Sequence, residues 1–177
     1  SYPAAFVPLP AAHAILQVKV TAVPIGQNWL TFGLVKAGFK ASSSDGVGKN
    51  ADSWGIVDER SSSGKNATMR GCGKVEETLA RKLQEGDVLT AEADVAAGWC
   101  EVRLNETEFK HRFSIPAGAH EGYVFGVSFS NDAKVCILPT SYGIAPTPAA
   151  AIVPAVNPSG AGKQQLYISI VRIIINL

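Results

Sequence analysis

The sequence predicts an all-β protein, an antiparallel two-sheet β-sandwich of jelly-roll type with at most one short helix. Apolar and polar residues alternate with a period of two in most segments, which is the pattern of half-buried strands. Turns rich in Ser, Gly and Asn separate these segments, and no regular succession of helices calls for a parallel sheet. With 177 residues, 46% of them hydrophobic, the chain is expected to fold as one domain, residues 1–177.

The first strands are predicted from alternation and from the turns that end it. Ile15–Val23 has apolar residues at every second position, and Pro24 and Gly26 follow it. Trp29–Val35 alternates in the same way, so the two segments are predicted to form a hairpin. Ser53–Val57 is a short apolar run that predicts the next strand.

The middle of the chain holds the one helix candidate. In Lys74–Leu83, apolar residues recur every four positions with charged residues between them, which predicts a helix. Asp87–Val95 and Trp99–Leu104 alternate around an Ala-Ala-Gly turn and predict a hairpin. Phe109–Ile115 is expected to continue that sheet.

The last part of the chain divides into three predicted pieces. Tyr123–Phe129 and Lys134–Leu138 flank a Ser-Asn-Asp-Ala segment and are predicted to form a hairpin. Residues 141–163 are rich in Pro and Ala and are expected to form an extended surface loop. Residues 166–177 are apolar on both faces of a predicted terminal strand.

Charge and motifs exclude several functions. Sixteen Lys and Arg against fifteen Asp and Glu give a net charge of +1, so neither nucleic acid nor a membrane is an expected partner. The three cysteines lack metal-ligand spacing, so no metal, no cofactor and a reducing, cytoplasmic location are expected. No phosphate loop, serine elbow or clustered histidine set is present, so the chain is predicted not to be an enzyme.

Several segments, in order, resemble the motifs of the SPRY domain family. Ser53-Trp54-Gly55 is similar to the family's "sWG" signature, and Gly86-Asp87-Val88 to its "GDv" motif. Leu104-Asn105 stands where the family has "lNG", with Glu106 in place of the glycine, and Tyr123–Phe129 stands where it has "lyPavsl". The resemblance covers about residues 15–138.

This resemblance implies a concanavalin A-like sandwich that binds a peptide or protein partner through loops at one end, without catalysis. It also implies a monomeric domain of a larger protein, such as a ubiquitin-ligase adaptor that recognises substrates. The candidate loops are Phe39–Asp52, Asp58–Thr68 and Ser130–Lys134. The candidate binding residues are Asp58, Arg60, Lys65, Asn66, Asn131 and Asp132, whose charged and amide groups can make directional hydrogen bonds.

A carbohydrate-binding sandwich is the alternative interpretation. The same architecture carries three tryptophans, and Asn66-Ala-Thr68 and Asn105-Glu-Thr107 match the glycosylation sequon. A tryptophan can serve either as a core residue or as a platform for a sugar ring.

Overall fold

The described strands form two antiparallel sheets. The structure, a computed structural model, describes residues 4–23, 29–40, 46–59, 65–129, 133–138 and 143–144. All of them belong to one compact unit, Ser1–Ala145. In chain order the strands are β1 (Ala4–Pro8), β2 (His13–Ala22), β3 (Trp29–Lys36), β4 (Ser53–Glu59), β5 (Thr68–Gly71), β6 (Lys74–Thr78), β7 (Val88–Asp94), β8 (Trp99–Leu104), β9 (Phe109–Ser114), β10 (Tyr123–Phe129), β11 (Lys134–Ile137) and β12 (Gly143–Ile144).

The strand order defines the two sheets. Sheet A has the order β1-β10-β3-β4-β5-β6, and sheet B has the order β11-β2-β7-β8-β9, with β12 also paired to β2. A 3₁₀ turn at His120–Gly122 precedes β10. In the described part of the chain, no helix is long and apolar enough to cross a membrane.

The core lies between the sheets and follows the predicted alternation. In β2 every second residue from Ala14 to Val20 is buried, and β8 buries Cys100, Val102 and Leu104. Both sheets contribute large side chains, Phe32 and Phe125 from sheet A and Phe113 from sheet B. The predicted all-β sandwich is confirmed, and the alternating residues form the two facing inner surfaces.

Two predicted hairpins are wrong, although their strands exist. β2 pairs with β7 and β11, whereas β3 pairs with β10 and β4, so the connection after β2 crosses from sheet B to sheet A. The connection from β10 to β11 crosses back in the same way. A turn signal shows that the chain reverses, but it does not show which sheet receives the next strand. The hairpin of β7 and β8 is confirmed.

The predicted helix over Lys74–Leu83 is also wrong. Lys74–Thr78 is the edge strand β6, and the chain then reaches Asp87 through bends and a turn, without a helix. Leu79 and Leu83 are buried, but Val75 is 54% exposed, so the four-residue spacing does not mark one helical face. Pairing with β5, a strand that the alternation did not reveal, stabilises the extended conformation.

Three glycines keep the outer face of sheet A flat at its centre. Gly126, Gly33 and Gly55 are cross-strand neighbours in β10, β3 and β4. A Cβ at Gly33 would lie 2.1 Å from the carbonyl oxygen of Trp54, and a Cβ at Gly55 would lie 2.3 Å from that of Phe32. Glycine is therefore required there because backbone approaches backbone.

Residues 141–163 and 166–177 lie outside the described residues, except for the two residues of β12. Gly143 and Ile144 pair with Ile15 and Ala14 of β2. The terminal strand therefore stays a prediction.

Candidate functional site

Two of the predicted binding loops leave sheet A at the same end. In the register of the sheet, Leu30 of β3 lies between Phe129 of β10 and Asp58 of β4. The segments 60–64 and 130–132 therefore begin on either side of β3, two strand spacings or about 10 Å apart. We call this end of the sandwich, where β4 and β10 finish and β3 begins, the loop end.

The third predicted loop is attached at the opposite end. The chain leaves β3 at Lys36 and enters β4 at Ser53, which are neighbours of Tyr123 and Val35 at the far end of the sheet. The expectation that all three loops share one end is therefore wrong for Phe39–Asp52. Part of that loop nevertheless crosses the outer face of sheet A towards the loop end.

Residues 46–50, which we call the strap, are fixed on the outer face by hydroxyl groups. The backbone N–H of Val47 donates to Thr31 Oγ1 at 3.1 Å, and that of Gly48 donates to Ser53 Oγ at 2.9 Å. The Val47 side chain lies over the glycines, where a Cβ at Gly55 would be 3.0 Å from its Cγ1. The flat centre of the sheet thus accommodates the strap.

The strap carries a lysine to the root of the segment 60–64. Lys49 Nζ lies 2.6 Å from Glu59 Oε1, and Arg70 Nη2 lies 3.2 Å from Glu59 Oε2. Lys49 Nζ is also 5.8 Å from the centre of the Trp29 ring, a cation–π distance. Burial disfavours the charged form of Glu59, but the hydrogen bonds and charges of Lys49 and Arg70 outweigh it and lower its pKa.

The six candidate binding residues fall into three groups according to their place in the structure. The prediction that Asp58 is a loop residue is wrong. It lies in β4, is fully buried, and accepts a hydrogen bond from the backbone N–H of Leu83 at 3.2 Å. It therefore holds the chain after β6 and is not a loop residue open to a partner. Lys65 is exposed and Asn66 half-buried, in the segment that enters β5 at the loop end. The other three, Arg60, Asn131 and Asp132, lie outside the described residues.

The sequence patterns did not reveal Lys49, Glu59 and Arg70 as a group. Their positions belong to a loop, a strand end and a strand that alternation did not detect. Only the register of β4 with β5 and the path of the strap bring them together.

A second charged group lies where sheet B meets the chain between β6 and β7. We call Arg81, Asp87, Asn105 and Glu108 the Arg81 clamp. Arg81 donates to both oxygens of Asp87, at 2.8 and 2.9 Å, and to both oxygens of Glu108, at 2.7 and 2.8 Å. Asn105 Nδ2 lies 2.9 Å from an oxygen of each carboxylate.

The clamp explains two motifs of the resemblance in physical terms. Asn105 Oδ1 accepts from the backbone N–H of Val88 at 2.8 Å, while Asp87 Oδ2 accepts from that of Gln84 at 2.7 Å. These residues therefore bind connections between strands, which is a structural role. Burial alone would raise the pKa of Asp87, but Arg81 and Asn105 hold it below its ordinary value.

The described residues include three cysteines and no cluster of metal-ligating side chains. No three His, Cys, Asp or Glu side chains among them converge in a way that could hold a metal ion. Cys72, Cys100 and Cys136 are free thiols, and burial raises the pKa of Cys100.

Three solved structures to which this chain is similar are SPRY domains. The SPRY domain of human HERC1 matches with a TM-score of 0.51 and 16% identity, over 77% of this chain and 78% of that one. The chain has the fold of a SPRY domain. A human SPRY domain matches with the same TM-score, 12% identity and coverage of 76% and 82%, and the TRIM65 PSpry domain with 0.51, 13%, 76% and 65%. No family model matches the sequence, and no curated protein matches it.

The SPRY fold also accounts for the "sWG" segment. Trp54 is 2% exposed in the core, in contact with the ring of Tyr123, and Gly55 lies at the close backbone approach in β4. Both residues therefore have structural roles.

Proposed function

We propose that the chain is a non-catalytic module that binds a peptide or protein partner at the loop end. The segments 60–64 and 130–132 would make the main contacts. Partner-binding residues are Arg60, Lys65, Asn66, Asn131 and Asp132, as the sequence suggested, and Lys49 and Arg70 support the root of the first segment.

One observation carries this proposal: the register of sheet A brings the roots of both segments to the two sides of β3. Rigid strands that present polar loops together form a common type of binding surface. Lys49, Arg70 and Glu59 fix one root by direct ion pairs. A root that is already ordered lowers the entropy that a partner must overcome on binding.

The proposal is tested by quantitative capture. The immobilised chain is incubated with cell lysate, bound proteins are quantified by mass spectrometry, and the strongest is purified for titration. Arg60→Ala, Asn131→Ala and the double change Lys65→Ala with Asn66→Ala should each weaken its affinity by about tenfold.

A matched control is available at the other end of sheet A. Lys36 forms an exposed ion pair with Asp52 at 2.9 Å, so Lys36→Ala removes a lysine without touching the loop end and should leave capture unchanged. Melting temperatures of all variants should stay close to that of the wild type. Unchanged capture by the loop-end variants, or capture that falls only together with the melting temperature, would contradict the proposal.

A further inference from the structure

The outer face of sheet B carries a ring of polar and aromatic side chains. They occupy alternate positions in four neighbouring strands, β2, β7, β8 and β9, with cross-strand partners set by the register. We call this group the outer-face circuit; its members are His13, Glu92, Trp99, Glu101, Arg103 and Arg112.

One half of the circuit runs from the histidine to the central arginine. His13 Nε2 lies 2.9 Å from Glu92 Oε1, and the other oxygen of Glu92 accepts a hydrogen bond from Arg103. These side chains are between 19% and 23% exposed. They are therefore held largely against the sheet while still reaching solvent.

The other half closes the ring through the tryptophan. Arg112 Nη2 lies 3.1 Å from Glu101 Oε2, and its guanidinium lies 4.2 Å from the centre of the Trp99 ring. The His13 ring meets Trp99 edge-on at 5.6 Å. Arg112 is 56% exposed, so its outward N–H groups remain open to a ligand.

A strained residue links the circuit to the centre of the sheet. Glu106 has φ +55°, a left-handed conformation that non-glycine residues adopt at a cost. Its Oε1 accepts hydrogen bonds from Gln17 Nε2 at 2.7 Å and from Thr90 Oγ1 at 2.9 Å. Its Oε2 lies 3.5 Å from Arg103 Nη1. Asn105 and Glu106, which both have positive φ, lie in the turn between β8 and β9.

The stability of the sandwich does not account for this arrangement. The four strands are already joined by backbone hydrogen bonds, and ion pairs on an outer face contribute about 0–1 kcal/mol each. Arg103 Nε is buried and makes no hydrogen bond to the described residues, although Glu101 Oε1 lies 3.7 Å from it. A buried donor without a hydrogen bond costs about 1–3 kcal/mol, so the circuit does not hold Arg103 in the arrangement that would stabilise the fold most.

The chemistry of these groups favours a ligand that both donates and accepts hydrogen bonds. Glu92, Glu101 and Glu106 only accept hydrogen bonds, whereas Arg103 and Arg112 only donate them. A hydroxyl group does both, so a row of hydroxyls can bond to neighbouring carboxylates and guanidiniums together. The carboxylates would repel an anion and the arginines would repel a cation. We propose that the outer-face circuit binds a neutral saccharide.

The first test is an array of oligosaccharides that end in glucose, mannose or galactose, with glucuronate-terminated ones beside them. We expect saturable binding of the wild type to neutral glycans and at least about a tenfold loss of affinity for Arg103→Met and Glu92→Gln. Lys65→Ala with Asn66→Ala, at the loop end, should bind the glycans as the wild type does. The inference can therefore fail independently of the proposed partner binding.

A second measurement uses the wild type alone, so it does not depend on variants that fold. The strongest neutral glycan from the array is titrated into labelled protein, and the three indole N–H resonances are followed by NMR. Only that of Trp99 should shift, because Trp29 and Trp54 are buried away from this face. No saturable binding to a neutral glycan, a preference for the glucuronates, or shifts confined to Trp29 would each overturn the inference.

Discussion

The Arg81 clamp and the outer-face circuit are both clusters of charged and polar side chains, but they connect different parts of the fold. Arg81, Asn105 and their two carboxylates connect the chain before β7 to the turn after β8. The outer-face circuit connects side chains of strands that are already paired through their backbones. Similar chemistry can thus serve either to hold the fold together or to prepare a surface.

This difference predicts which property each cluster affects, the stability of the fold or the binding of a ligand. Removing part of the clamp should weaken a connection that lies outside the regular strand pairing, so the free energy of unfolding should fall. Removing part of the outer-face circuit should leave the sheet intact, so its effect should appear in ligand binding. Three predictions can break or sharpen this contrast.

The largest effect is expected for Asp87→Ala. Asp87 is 5% exposed and accepts hydrogen bonds from Arg81, Asn105 and the backbone of Gln84. Its removal leaves Arg81 with only one of its two bidentate carboxylates and leaves the Gln84 N–H without its acceptor, so urea unfolding should show a loss of about 2–4 kcal/mol. Glu92→Ala in the outer-face circuit should lose less than about 1 kcal/mol. Equal losses would show that both clusters are structural.

A smaller effect is expected on acidification. The pKa of Asp87 is lowered in the folded state, so its stabilising contribution is present above the unfolded pKa, about 3.9, and is lost as pH falls through the folded pKa. Urea midpoints of the wild type should therefore fall more steeply in this range than those of Asp87→Asn. Parallel curves for the two proteins would contradict the assignment.

The sequence could predict the strands but not how the two clusters form. The alternation in β2 and β7 separated Leu16 and Ala91 on the core face from Gln17 and Glu92 on the other, and the structure confirms this division. Which polar residues meet depends on the register between strands, and one strand's pattern does not specify its partner's offset.

The loop end shows the same limit of prediction from sequence patterns. The roots of two binding loops were predicted, and β4 and β10 bring them to one end. Asp58 was assigned to a loop because it follows an apolar run, although the strand continues to Glu59. The sequence did not predict the contact between Lys49 and Glu59, because it depends on a strap that crosses the sheet.

The smallest effect comes from two adjacent residues that share one backbone conformation. Asn105 has φ +49° and belongs to the clamp, whereas Glu106 has φ +55° and contacts the outer-face circuit. Changing either residue to glycine relieves a left-handed conformation, worth about 1 kcal/mol. Any difference between the two variants therefore reports on the side chains alone.

Asn105→Gly removes hydrogen bonds to Val88, Asp87 and Glu108, so it should lose about 1–2 kcal/mol of unfolding free energy after the relief of strain. Glu106→Gly should stay within about 0.5 kcal/mol of the wild type, because the relief offsets its lost hydrogen bonds to Gln17 and Thr90. Urea unfolding and glycan binding should both be measured for Asn105→Gly and Glu106→Gly. A larger loss in Glu106→Gly, or unchanged glycan binding by it, would mean that its strained backbone serves the fold and not the surface.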